Sequence, residues 1–332
     1  MSHPLNADSI QQQVVAMYER HPFPAYSDKF RKTAEEMDLK MRLLGVPQSD
    51  YHGRKILDAG CGTGEFTCWY AARGNEVTAI DLSRPSLEHA KAYAARYHLD
   101  DRIDFQQQSV LHLNLPNETF DFVYCYGVLH HTPDPHRGFR ELVRVCKPGG
   151  IVVVSVYNRY SRFTHRLRQK LIARWAGDDV ERRCRLGKRL FPRTARRIKK
   201  RAHDASDAVL YDQFSQPHES SHTVGEVLGW MDQSGLSYIG AFGPLRLRDH
   251  LYAACLPEFR EFEKTFDGYP GPRMAAALLR SVAHLAGMKA TEDRAFARPG
   301  VLSRFLVQMG WFFLGLRFSC FSIAGRKPIE AD

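Results

Sequence analysis

The sequence predicts an α/β fold, a doubly wound and mostly parallel sheet with helices on both faces. Three observations predict it. Apolar runs near 55–60, 76–81, 103–107, 120–126 and 150–157 alternate with amphipathic stretches at 64–73, 84–97 and 136–146. Strict strand–helix alternation argues parallel pairing. The first run leads directly into Gly60-Cys61-Gly62-Thr63-Gly64, where glycines let backbone N–H groups approach a ligand closely. The second run ends in a carboxylate, Asp81, placed to accept hydrogen bonds from ligand hydroxyls.

The glycine spacing selects among ligands. A dinucleotide fingerprint needs Gly-x-Gly-x-x-Gly, with a pyrophosphate on the helix N-terminus. Here Gly60 and Gly62 are followed by Gly64, and the sixth position is Glu65, which would repel a pyrophosphate. The pattern Asp58-x-Gly60-x-Gly62-x-Gly64 instead resembles motif I of the Rossmann-like (class I) S-adenosylmethionine (SAM) methyltransferases. Residues 120–131 (FDFVYCYGVLHH) resemble the fourth strand of that family with its Leu-His-His ending. Residues 142–150 (LVRVCKPGG) resemble its helix-to-turn element before strand five. The resemblance covers about a hundred residues and is nearest to quinone-biosynthesis-like small-molecule methyltransferases.

The resemblance implies SAM as cofactor and S-adenosylhomocysteine (SAH) as product. It implies that Gly60, Cys61, Gly62 and Gly64 form the cofactor loop, with Asp58 beneath it near the aminoacyl end. Asp81 takes the ribose diol and Leu82 lies against the adenine. Ser109 and Val110 neighbour the adenine, Ser109 standing where the family often has Asp. Tyr126 and Gly127 line the methionine part. It also implies a seven-stranded sheet with an antiparallel last strand.

Taken in order, the elements begin with a short helix at 9–20. Tyr18 and Tyr26 flank the X-Pro pairs of 21–26, which force an extended path, and both are expected to close the cavity on its substrate side. A helix at 28–44 ends before Pro47. Residues 1–47 are thus read as an N-terminal helical lid and 48–158 as the cofactor core. Ser83 caps helix 84–97, with Pro85 near its first turn. Thr223 and Glu226 form a capping box opening a helix to Gly235, followed by strand 236–242; the unit spans 222–245. Residues 318–325 alternate apolar and small polar side chains and supply the last strand, within a final unit 317–332. Two insertions, 159–221 and 246–316, split the sheet and are read as helical caps beside the carboxyl ends of the strands.

Charge is concentrated in the first insertion. The chain carries +10, yet residues 159–203 hold 17 Arg or Lys against three acids, a local +14 that leaves −4 elsewhere. Phe163, Leu167, Leu171, Ile172 and Trp175 recur at helical spacing among these basic residues. An anionic membrane surface, a phosphate on RNA or substrate, and a solvated outer face all fit. Interleaved aromatic platforms for RNA are missing. The apolar run between Arg304 and Arg317 is too short to span a bilayer, which needs ~20 residues. It reads as a buried or interfacial cap helix.

The N-terminus lacks the apolar core of a signal peptide, and the seven cysteines form no Cys-x-x-Cys pair. Both suit a cytoplasmic protein, at most peripheral to a membrane. Chain length allows a sizeable core, and oligomeric state is not legible.

Methyl transfer is an in-line displacement that needs a positioned nucleophile and sometimes a base. His130 and His131 end strand four and are the first candidates for that base. Tyr157 and Asn158 end strand five and face the same opening as substrate-binding candidates. Tyr211, His218, Glu219 and His222 form a polar cap loop, with Tyr211, His218 and His222 as further catalytic candidates and Glu219 for substrate. His218-Glu219-Ser-Ser-His222 matches the metalloprotease pattern, but Pro217 precedes it and the next helix starts only at Thr223. A non-proteolytic metal site using these residues with Asp212 is the weaker alternative. The whole reads as a SAM-dependent methyltransferase acting on a small-molecule, lipophilic or anionic acceptor. The other readings are an RNA methyltransferase and a non-catalytic SAM-binding protein at a membrane.

Overall fold

In the computed structural model, parallel strands β1 (Lys55–Ala59), β2 (Glu76–Asp81), β3 (Ile103–Gln107), β4 (Phe120–Tyr126) and β5 (Cys146–Tyr157) form most of a seven-stranded sheet. The described residues are 7–21, 30–202, 206–243, 245–256, 270–288, 296–313 and 320–329. Strand order is β3-β2-β1-β4-β5-β7-β6, with β6 at Ser237–Phe242 and β7 at Cys320–Arg326. β7 runs antiparallel to both β5 and β6. The order reverses between β1 and β4, which opens a crevice at their carboxyl ends.

The central strands are apolar throughout because helices cover both faces. One core layer gathers Val123, Val152, Val154 and Ile323 with Phe139, Leu142, Val227 and Leu228. The other gathers Ile56, Phe122, Tyr124 and Val153 with Met37, Met41, Trp69 and Tyr70. The helices bounding these layers are α1 (Ala7–Arg20), α2 (Phe30–Leu44), α3 (Glu65–Ala71), α4 (Arg84–Arg96) and α5 (Pro135–Val145). The Ser86 backbone N–H donates to the Ser83 side chain, and the Thr223–Glu226 capping box closes in both directions.

β5 is longer than its apolar run implies. Residues 147–150 form part of the strand, and pairing with β4 shifts register between Phe120 and Phe122. The Lys-Pro-Gly-Gly segment is therefore an irregularity within the strand, where a turn was expected.

The first insertion holds α6 (Phe163–Ala176), α7 (Val180–Leu190), α8 (Pro192–Ala202) and α9 (Ser206–Ser215). Ile172, Ala176, Cys184, Ala195, Leu210 and Phe214 form a small core of their own. Among the described residues the second insertion contributes helices Leu247–Cys255, Pro270–Leu285 and Val301–Phe313. In the last of these Trp311 is buried against Phe321 of β7, while the opposite face is exposed. That helix is half-buried.

Candidate functional site

A cavity of about 400 Å³ lies at the carboxyl ends of β1, β2 and β4. The loop after β1 forms its floor. Gly60 has φ 82°, and a Cβ there would meet Val128 Cγ2 at 2.1 Å. Gly62 has φ 54° with no heavy atom within 4 Å of a built Cβ, so its backbone faces open space. Gly64 packs against Ala90 of α4. Asp81 braces the loop, since its carboxylate accepts the N–H of Gly62 at 2.9 Å and of Ser83 at 2.8 Å. Burial raises its pKa against the pull of the backbone N–H groups of Ser83, Gly62 and Leu82. Asp58 lies beneath the loop, off the cavity wall, and accepts the Thr67 hydroxyl at 2.6 Å. Burial pushes its pKa up to about 7, aided by the charges of Asp81 and Glu65 and opposed by the Thr67 bond.

Gly60, Cys61, Gly62, Asp81, Leu82, Ser109, Val110, Tyr126 and Gly127 all line the cavity, with Tyr18, His131 and Tyr157 on its other walls. Glu65, read in the sequence only as repelling a pyrophosphate, and Asp212 of α9, read there only as a possible metal ligand, also line it. Three carboxylates therefore line the cavity (Glu65, Asp81 and Asp212), and no Lys or Arg is among the described lining residues. This donor set suits a ligand with cationic centres and opposes a pyrophosphate.

α1 and the cap close the far side through one network. The Tyr18 hydroxyl donates to Asp212 at 3.2 Å and accepts from the Gln216 side-chain amide at 3.0 Å. Nδ1 of His131 lies 2.5 Å from that amide nitrogen and 3.2 Å from the His218 carbonyl. Both contacts engage Nδ1 and leave Nε2 as the other ring nitrogen. Burial lowers the pKa of His131, against the raising effect of Asp212 and Glu219, which favours the neutral ring.

Several candidates stand elsewhere. His130 is fully buried outside the cavity; its ring stacks on Tyr157 at 3.6 Å, and Nδ1 accepts the Tyr157 backbone N–H at 3.3 Å. The Asn158 side-chain Oδ1 accepts the backbone N–H groups of Tyr160 and Ser161 and shapes a turn. Tyr211 stacks on His21 and donates to Glu181, off the cavity. Glu219 is a correction to the substrate role expected for it. Its carboxylate takes a two-pronged bond from Arg162, 2.7 Å for the Nε arm, and lies 3.5 Å from His165. Burial would raise its pKa, but His165 and Arg162 hold it at about 2.

The His218–His222 stretch is extended and stitches the cap's return to the sheet. Ser220 N–H donates to the His130 carbonyl at 2.7 Å and His222 N–H to the Tyr157 carbonyl at 2.8 Å. His222 Nε2 lies 2.9 Å from the Ser220 hydroxyl. Among the described residues no three His, Cys, Asp or Glu side chains are arranged to hold a metal ion. Tyr26 lies outside the described residues.

Lys40 also escaped the sequence reading. It is buried on α2, 3.8 Å from the ring centre of Tyr126, and donates to the Tyr124 hydroxyl at 3.2 Å. Burial lowers its pKa to about 8. Its position within the apolar pattern of α2 was the available signal.

Residues 57–154 match the family model described as a methyltransferase domain. Residues 57–154 are thus a methyltransferase domain. The chain is 33% identical over 259 residues to an uncharacterized protein of Synechococcus sp., covering 70% of this chain and 60% of that one. It is 40% identical over 108 residues to a ubiquinone biosynthesis O-methyltransferase of Alkalilimnicola ehrlichii, covering 32% of this chain and 43% of that one. The chain thus spans about half the length of the curated relatives it matches. A solved SAM-dependent methyltransferase of Mesorhizobium loti aligns over 90% of this chain and all of the other, with 18% identity and TM-score 0.46. Among the described residues no helix is long and apolar enough to cross a membrane.

Proposed function

We propose that the protein transfers the sulfonium methyl of SAM to a small-molecule acceptor, in line, beneath the cap. One observation carries the reading: three carboxylates and no described Lys or Arg line a cavity floored by the Gly60–Gly62 loop. SAM carries a sulfonium and an ammonium, and when bound it supplies an activated methyl group. Asp81 would hold the ribose hydroxyls, and Gly62 would admit the ligand against open backbone. Asp58 and Glu65 would set the negative potential around the aminoacyl end.

His131 is the candidate base. Nδ1 faces both a carbonyl acceptor, His218, and an amide donor, Gln216; in the tautomer that places Nδ1–H on the His218 carbonyl, Nε2 is the basic nitrogen able to take a proton from an acceptor hydroxyl or amine. Tyr18, Asp212 and Gln216 hold that wall and exclude water. Val14, Phe66, Leu111 and Val128 give the cavity an apolar lining. Together with its acidic groups this favours a lipophilic acceptor over an anionic one.

The test is calorimetric titration with SAH, NAD and NADP, followed by labelled SAM with lipophilic hydroxylated or amine acceptors. Selective binding of SAH supports the reading. Binding of a dinucleotide in its place would overturn it.

A further inference from the structure

We propose that α6, α7 and helix Val301–Phe313 form a docking face for an anionic lipid bilayer, with Arg182, Arg185 and Arg189 as the seat for a lipid phosphate. The face has an apolar part and a basic part.

The apolar part is a stripe on α6. Phe163, Leu167, Leu171 and Trp175 recur every four residues and are 43–66% exposed. The opposite face of α6 buries His165, Ile172 and Ala176. Residues i and i+4 lie nearly in line on a helix, so the four side chains form one ridge. A second ridge, Val301, Leu302, Phe305 and Leu306, is exposed on helix Val301–Phe313. The two helices meet where the rings of Phe163 and Phe312 pack edge to face at 5.9 Å. Apolar surface joined in this way marks an interaction face.

The basic part says what covers it. Arg168 flanks the α6 stripe on one side, Lys170 and Arg174 on the other. Where the stripe ends, Trp175 borders a surface hollow of about 280 Å³ whose other walls are Arg182, Arg185, Leu186 and Arg189. The three arginines and Leu186 share one face of α7 at spacings of three and four residues. Arg183, on the adjoining face, pairs with Asp178 at 2.7 Å. Among the described residues no carboxylate pairs with Arg182, Arg185 or Arg189.

An aromatic belt residue beside guanidinium groups suits the headgroup level of a bilayer, with the α6 ridge entering the acyl boundary. Planar guanidinium forks match phosphate oxygens. Nucleic acid shares the phosphate but gives the ridge nothing apolar to enter.

The test is co-sedimentation of the full chain with vesicles of phosphatidylcholine alone, or with phosphatidylglycerol added, at about 0.1 M salt. Binding should require the anionic lipid. The triple variant Arg182→Gln, Arg185→Gln, Arg189→Gln should weaken it on the order of 100-fold, at about tenfold or less per charge near the surface. Leu167→Ser with Trp175→Ser should weaken it independently. All five side chains are exposed, so both variants should keep wild-type melting temperature and SAH affinity. Loss of SAH affinity in the wild type would count against the cofactor reading and leave the docking result standing. Equal binding to both vesicle types, no vesicle binding, RNA binding without vesicle binding, or a dimer abolished by Leu167→Ser with Trp175→Ser would each overturn the docking face.

Discussion

The side-chain amide nitrogen of Gln216 lies 2.5 Å from Nδ1 of His131, so a cap residue sets the orientation of a ring in the core. If His131 is the base, His131→Ala should lower kcat by about 10²- to 10⁴-fold while SAH affinity is kept. The rising limb of kcat/KM against pH should fall below pH 6.5, because burial lowers this pKa. Gln216→Glu places a carboxylate beside Nδ1 and should move that limb to higher pH. An unmoved limb would mean that another group is being titrated.

Asp81 holds two loop N–H groups as well as facing the ligand. Asp81→Ala should weaken SAM binding by about 1–3 kcal/mol. The two loop glycines should separate stability from binding. Gly60→Ala drives a Cβ to 2.1 Å from Val128 and should lower the melting temperature sharply. Gly62→Ala meets no neighbour and should cost only about 1–2 kcal/mol of backbone strain, yet weaken SAH binding where the methyl intrudes. Thermal unfolding and calorimetry on the same samples check both.

The Arg162–Glu219 pair is buried, with side chains 10% and 3% exposed. Glu219→Ala should destabilise the fold by about 3–5 kcal/mol by stranding the Arg162 charge. Arg162→Met with Glu219→Leu should recover most of that. The pKa of Glu219 falls from 4.5 to about 2 on folding, so its contribution is fully present above pH 4.5 and is lost as pH falls toward 2. Urea unfolding at pH 7 and pH 3.5 should show the wild-type advantage over Glu219→Gln shrinking in acid.

Asp58 has the opposite sign. Its folded pKa of about 7 exceeds the ordinary 3.8, so its contribution is present at low pH and lost as pH rises through 7. Asp58→Asn, which can still accept the Thr67 hydroxyl, should therefore be more stable than wild type at pH 8. A cationic ligand above Asp58 would lower that pKa and release a proton. SAM binding near pH 7 should then give different enthalpies in Tris and phosphate buffers, and Asp58→Asn should remove the difference. Equal enthalpies for the wild type would contradict a cation at this end of the cavity.

The core was legible because its signals are local. Ser83, Thr223 and Glu226 cap helices with side chains three residues away, and the strands announce themselves as apolar runs. The cap was not legible in the same way. Helical spacing in the basic segment 159–203 announced amphipathic helix but not the four-helix unit, because Ile172 and Phe214 meet only in three dimensions. Glu219 sits in a motif that suggests chemistry, while its partner Arg162 lies 57 residues away. Lys40 was passed over because burial of a charge depends on tertiary neighbours.

The placement of β7 has a kinetic consequence. Ser155 of β5 and Ser322 of β7 share a hydrogen bond although 167 residues apart in sequence. Among the described residues β6 pairs with β7 alone. Closing so long a loop carries an entropy cost before the pairing rewards it, so this half of the sheet assembles late and slowly. Until then the edge of β5 stays open, a row of unpaired backbone groups on a strand built of valines. The bundle of α6 to α9, whose contacts are close in sequence, has time to form within that interval. Refolding should accordingly be most prone to aggregation after the β1–β4 region has formed and before β7 inserts.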